Sequence, residues 1–144
     1  MDPRHNAPPL VFVSHHRTDT WIAKQIARVV EERGASVYLA EKDVQLGADF
    51  EEQLRDALNR ASELVVLLTP WALARLYVWA ELGVAWGRRI PIVGLLLGIE
   101  VHELQGIPEI PLLLKRAGLL ELNQIDRYLA QLTVRVEASA HAKE

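Results

Sequence analysis

The feature that most constrains this chain is an alternation. Five short runs, 10–14, 36–39, 64–68, 90–96 and 119–122, are dominated by Val, Leu and Ile, and longer stretches with apolar residues every three or four positions stand between them. Uncharged runs such as Leu64-Val-Val-Leu-Leu68 show no inside-outside alternation, the pattern of a strand covered on both faces. The intervening stretches have the period of amphipathic helices. Short buried strands joined by helical crossovers close most economically as a parallel sheet with helices on both sides. The expected fold is therefore a three-layer α/β/α domain, flavodoxin-like, with five parallel strands in the order 2-1-3-4-5. In such a sheet the ligand crevice lies beyond the carboxyl ends of the strands where the order reverses, here between the first and third.

Local signals mark the elements. Thr18 or Asp19 is placed to cap a first helix with Trp21, Ile22, Ile26, Val29 and Val30 on its apolar side, and Gly34 stands where a left-handed residue ends it. A polar loop, 41–48, precedes a second helix from about Asp49, with Phe50, Leu54, Leu58 and Ala61 inward and a Glu51–Arg55 pair outward. Thr69-Pro70 opens a third helix, about 71–86. A Gly/Pro-rich connection covers 97–111, and Asn123 is positioned to cap a last helix with Ile125, Leu129, Leu132 and Val136 buried. Residues 1–9 read as a flexible lead, 10–136 as one domain and 137–144 as a frayed tail.

Composition bounds the function. Sixteen basic and nineteen acidic residues give a net charge of -3, with no basic excess for a nucleic acid or an anionic membrane. The absence of cysteine removes disulfides, thiolate metal sites and cysteine nucleophiles, and suits a reducing compartment. The first residues lack a secretory pattern, and the longest apolar run, 90–99, is about half of a membrane span. A cytoplasmic location is expected, with no metal and no cofactor. The adjacent His15 and His16 point apart and have no other ligands nearby in sequence.

One carboxylate stands out. From 70 to 86 only Arg75 and Glu81 are charged, and the residues three and four positions from Glu81 are Tyr77, Val78, Val84 and Ala85, none basic. Glu81 either pairs with a distant cation such as Arg17 or Lys42, or it faces a cleft. Trp71, Trp79 and Trp86 fall near one stripe of this helix, away from Glu81, and read as core or interface packing.

Three strings in order, Val11-Phe-Val-Ser-His-His-Arg-Thr-Asp19 with Trp21, Asp43-Val-Gln-Leu-Gly47, and Tyr77-Val-Trp-Ala-Glu81, resemble a TIR domain of the bacterial type over roughly 10–136. Tyr77 and Arg75 stand where that family usually has tryptophan and serine. The resemblance implies that Asp43 to Gly47 belong to the family's BB loop, used for self-association and for gating the cleft, and that Glu81 is the catalytic glutamate. It implies cleavage of the nicotinamide–ribose bond of NAD+, a substrate rather than a cofactor, with Phe12, Ser14, His15, Arg17, Asp43, Gly47 and Tyr77 as candidate substrate-binding residues. All but Tyr77 have a plainer reading: core packing for Phe12, turn capping for Ser14, a loop histidine for His15, a solvated or ion-paired cation for Arg17, and turn residues for Asp43 and Gly47.

The expected partners are NAD+, other TIR domains met through the BB loop in an oligomer or filament, and a sensor or effector protein, in antiphage defence or signalling. Two other functions share these features: a non-enzymatic adaptor working through TIR–TIR association, and a nucleoside deoxyribosyltransferase-like glycosidase. A phosphorylation receiver is excluded, because Ser14-His15, Thr69 and Leu122 occupy the places of its acidic pair, phospho-acceptor and lysine. No Gly-rich phosphate loop of the Rossmann or P-loop kind is present either.

Overall fold

A computed structural model of the chain describes residues 8–39, 56–72, 89–105 and 118–141. The elements are β1 (Leu10–Ser14), a 3-10 turn (Arg17–Asp19), α1 (Thr20–Glu32), β2 (Ser36–Leu39), α2 (helical residues 56–60), β3 (Glu63–Leu68), β4 (Ile92–Leu96), α3 (Val101–Gln105), β5 (Gly118–Glu121), a second 3-10 turn (Leu122–Gln124) and α4 (Ile125–His141). The five strands form one sheet in the order β2-β1-β3-β4-β5, and every neighbouring pair is parallel. Fold class and strand order are those expected.

The unalternating strands have a direct physical cause. All six residues of β3 are buried, and its five apolar residues divide between two cores. Leu64, Val66 and Leu68 pack with Phe12, Leu58, Ala61 and Leu104 on one face. Val65 and Leu67 pack with Val11, Val13, Ile26, Val30, Leu129 and Leu132 on the other, beneath α1 and α4. Period 2 is present, but both phases of it are apolar. The edge strands β2 and β5 are only partly buried.

Several boundaries depart from expectation. The 97–111 connection contains a helical turn, α3, anchored by the fully buried Leu104 and by the Glu103 carboxylate, which accepts from the Glu100 N–H at 3.3 Å. Asn123 lies within the 3-10 turn instead of flanking α4. Residues expected to fray from 137 onward are helical as far as His141, since Ala138 and Ala140 favour helix even where nothing packs on them. Gly34 takes φ 95° as expected, and a Cβ there would sit 3.0 Å from Val136 Cγ1. Trp21, expected on the apolar side of α1, is 72% exposed, and Trp71 is 65% exposed, so the core alternative for it is corrected too. It stands two residues after Thr69, in the turn where the chain leaves the sheet.

Candidate functional site

The strand order reverses at β1 and β3, and their carboxyl ends are joined by side chains. Asp19 occupies the N-cap position of α1 but makes no capping bond. Its carboxylate instead accepts from the Thr69 hydroxyl at 2.8 Å, across the gap between the loops after β1 and β3. The Thr69 oxygen accepts in turn from the Ala72 N–H at 3.2 Å, an N-cap contact at the segment that leaves β3. Both side chains are buried, Asp19 at 9% and Thr69 at 3% exposure, so the bond is shielded from competing water.

The two histidines are structural members of the same edge. The Thr20 hydroxyl donates to the Arg17 carbonyl at 2.7 Å, so its oxygen is left to accept from His15 Nε2 at 3.2 Å. His16 caps the 3-10 turn: its Nδ1 accepts from the Thr18 N–H at 3.2 Å and lies 2.8 Å from the Thr18 hydroxyl. Both imidazoles are buried.

The candidate residues on β1 and its loop thus separate into two groups. Phe12 has no exposed surface and stacks on Tyr38 with ring centroids 5.1 Å apart, the core role that was one of its two readings. Ser14 and His15 are buried beside it, while Arg17 is exposed at the rim. Asp43, Gly47, Tyr77 and Glu81 lie outside the described residues.

An open cleft of about 350 Å³ lies at the carboxyl ends of β4 and β5, lined by Leu96 to Glu100, Glu103 and Glu121 to Asn123. It lies toward the opposite side of the sheet from the β1–β2 edge. Its 97–103 side belongs to the Gly/Pro-rich connection expected over 97–111. Glu121 and Asn123 were not anticipated there, although a glutamate ending a strand just before a turn is a legible sign of a rim position. Among the described residues, the grouping of possible metal ligands is Glu100, His102 and Glu103, all exposed. These satisfy one another: His102 Nδ1 lies 3.1 Å from Glu100 Oε2, and Glu103 accepts from the Glu100 backbone.

A third cluster lies at the amino end of β3. Glu63, 2% exposed, is held by Arg135 Nε at 2.5 Å and Nη2 at 2.9 Å, and accepts from the Tyr128 hydroxyl at 2.8 Å. Burial, reinforced by the Glu63 charge, pushes the Tyr128 phenol well above its ordinary range, so it remains a donor. The Glu63 hydrogen bond raises Arg135. The cluster stands at the end of the sheet away from the ligand edge and fastens α4 down.

Sequence comparison decides the family. Residues 11–132, well over half the chain, match the TIR domain. The chain belongs to the TIR family. No curated protein matches this TIR domain by sequence. Among solved structures it is similar to the Clostridium botulinum CMP N-glycosidase BcmB, with TM-score 0.54, 18% identity, and coverage of 87% of this chain and 98% of that one. It is also similar to the diflavin flavoprotein A3 of a Nostoc species, with TM-score 0.51, 16% identity, and 94% coverage of each chain. At these identities the likeness is one of fold. Among the described residues of the TIR domain, no helix is long and apolar enough to cross a membrane.

Proposed function

We propose that this TIR domain is an NAD+ nucleosidase in which Glu81 is the catalytic carboxylate. The observation that carries the reading is the family match itself, because its span of 11–132 takes in the first-strand string, the Asp43–Gly47 string and the Tyr77–Glu81 string together. The chemistry suits a single carboxylate. The C1′–N bond breaks with its electron pair passing to nicotinamide, which leaves neutral and needs no general acid. The ribose develops oxocarbenium character that a nearby carboxylate stabilises. Water then adds at C1′ and loses a proton, giving ADP-ribose; capture by the adenine of the same molecule gives a cyclic product instead.

In this reading Arg17 and Tyr77 serve the substrate, while Asp43 and Gly47 serve the BB loop that gates the cleft and meets other TIR domains. The proposed setting is cytoplasmic, in antiphage defence or signalling, with a sensor or effector partner. The test is product analysis after incubation with NAD+ at high protein concentration. Glu81→Gln is expected to lower NAD+ consumption about a hundredfold or more. Equal rates for the two proteins overturn the enzyme reading in favour of an adaptor.

A second reading is glycosidic cleavage of a nucleotide other than NAD+. It is favoured by the fold shared with a protein described as a CMP N-glycosidase, although a shared fold alone does not carry an activity. Placing CMP and deoxynucleosides beside NAD+ in the same assay separates the two readings.

A further inference from the structure

Asp19 stands at the N-cap of α1 and does not cap it: no side-chain bond is made there, and the first turn of α1 holds no acidic residue. An aspartate at this position ordinarily bonds the helix's own free N–H groups and steadies the helix. Here the carboxylate is turned to the Thr69 hydroxyl, and the Asp19 N–H closes the 3-10 turn on the His16 carbonyl at 2.8 Å. One residue thus fastens the loop after β1, which carries Ser14, His15 and Arg17, to the exit of β3. Thr69 passes the connection on, because its oxygen also accepts from the Ala72 N–H at 3.2 Å and so fixes the direction in which the chain leaves the sheet. On the other side that exit is held by β4, through the Leu97 N–H on the Leu68 carbonyl at 3.0 Å.

We propose that Asp19 and Thr69 are positioning residues for glycosidic cleavage: the Asp19–Thr69–Ala72 chain of bonds sets the segment leading to Glu81 at a fixed angle to the loop carrying Ser14, His15 and Arg17. This role rests on the reading of Glu81 as the catalytic carboxylate. Glu81 follows Ala72 by nine positions, and on the helix expected over 71–86 that is about 13–14 Å of rise. A tilt of about 5° at the start of such a lever moves its far end by about 1 Å, and a misplacement of that size can cost about a hundredfold in rate. The carboxylate acts on the cation that develops in the transition state, so a tilt lowers kcat and leaves KM nearly unchanged. Neither Asp19 nor Thr69 touches the reacting atoms in this role. Asp19 contributes an acceptor for the Thr69 hydroxyl, which an amide oxygen in its place also supplies.

The full 144-residue chain is assayed for NAD+ consumption at high protein concentration, at a temperature where thermal melts show every variant folded. Asp19→Ala and Thr69→Val each break the bond and are each expected to lower kcat about tenfold or more, with KM within about threefold of wild type. Combining them is expected to cost no more than the worse of the two, because the Asp19–Thr69 bond is already gone in each single variant. Asp19→Asn keeps the acceptor and Thr69→Ser keeps the hydroxyl, and each is expected to recover most of kcat. A purely structural role would lower the melting temperature without moving kcat per folded molecule. Broken-bond variants with wild-type kcat overturn the proposal, as do Asn and Ser variants as slow as the Ala and Val ones; in either case the nucleosidase reading stands if wild type is active and Glu81→Gln is not. A wild type that consumes no NAD+, or consumes it no faster than Glu81→Gln, overturns that reading and the positioning role with it.

Discussion

The Thr69 hydroxyl donates to the Asp19 carboxylate at 2.8 Å, joining residues fifty positions apart at the point where the strand order reverses. Thr69→Val removes that donor and also the acceptor of the Ala72 N–H, leaving two buried groups unsatisfied. The expected loss is about 2–3 kcal/mol in urea unfolding. Thr69→Ser keeps both contacts and is expected to stay within about 1 kcal/mol of wild type. A loss for Thr69→Val no larger than that for Thr69→Ser would overturn the assignment of this stability to the hydroxyl.

Arg135→Leu strands the Glu63 carboxylate with Tyr128 as its remaining donor. Breaking a buried pair typically costs about 3–5 kcal/mol, and the 37% exposure of Arg135 places this case at about 2–3 kcal/mol. The double variant Glu63→Leu, Arg135→Leu is expected to lose less than Arg135→Leu alone, because no charge is left behind. A double-mutant cycle by chemical denaturation measures the difference.

Tyr128 gives the domain an alkaline limit. Its folded pKa is raised above the unfolded value of about 10, so the native state holds a proton that the unfolded chain has lost once pH exceeds about 10. The stability it contributes is fully present below that pH. Above it, stability declines by about 1.4 kcal/mol per pH unit from this group. Tyr128→Phe is expected to flatten the slope between pH 10 and 11 in thermal melts while lowering stability at pH 7.

Gly34→Ala forces an L side chain into φ 95° and brings its Cβ to 3.0 Å from Val136. The expected cost is about 1–2 kcal/mol. Val136→Ala in the same background relieves the contact but not the backbone strain, so calorimetry on the pair separates the two terms.

The sequence by itself determined the alternation of strands and helices, the parallel sheet with its reversal at β1, and the left-handed Gly34. These are local properties: side-chain periodicity and backbone sterics act over a few residues and survive whatever the chain does elsewhere. It also carried the family strings, which contain Glu81. Tertiary structure decided where the long-range side chains went. Asp19 reads as a helix cap, yet its carboxylate belongs to Thr69. Glu63 and Arg135 show nothing of each other across seventy-two positions, until burial of β3 leaves a carboxylate that Tyr128 and Arg135 of α4 satisfy. Trp71 reads as core or interface packing and, at 65% exposure, stands outside the core. No period encodes such pairings, because they depend on which loops the crossovers bring together and on which polar groups are then cut off from water.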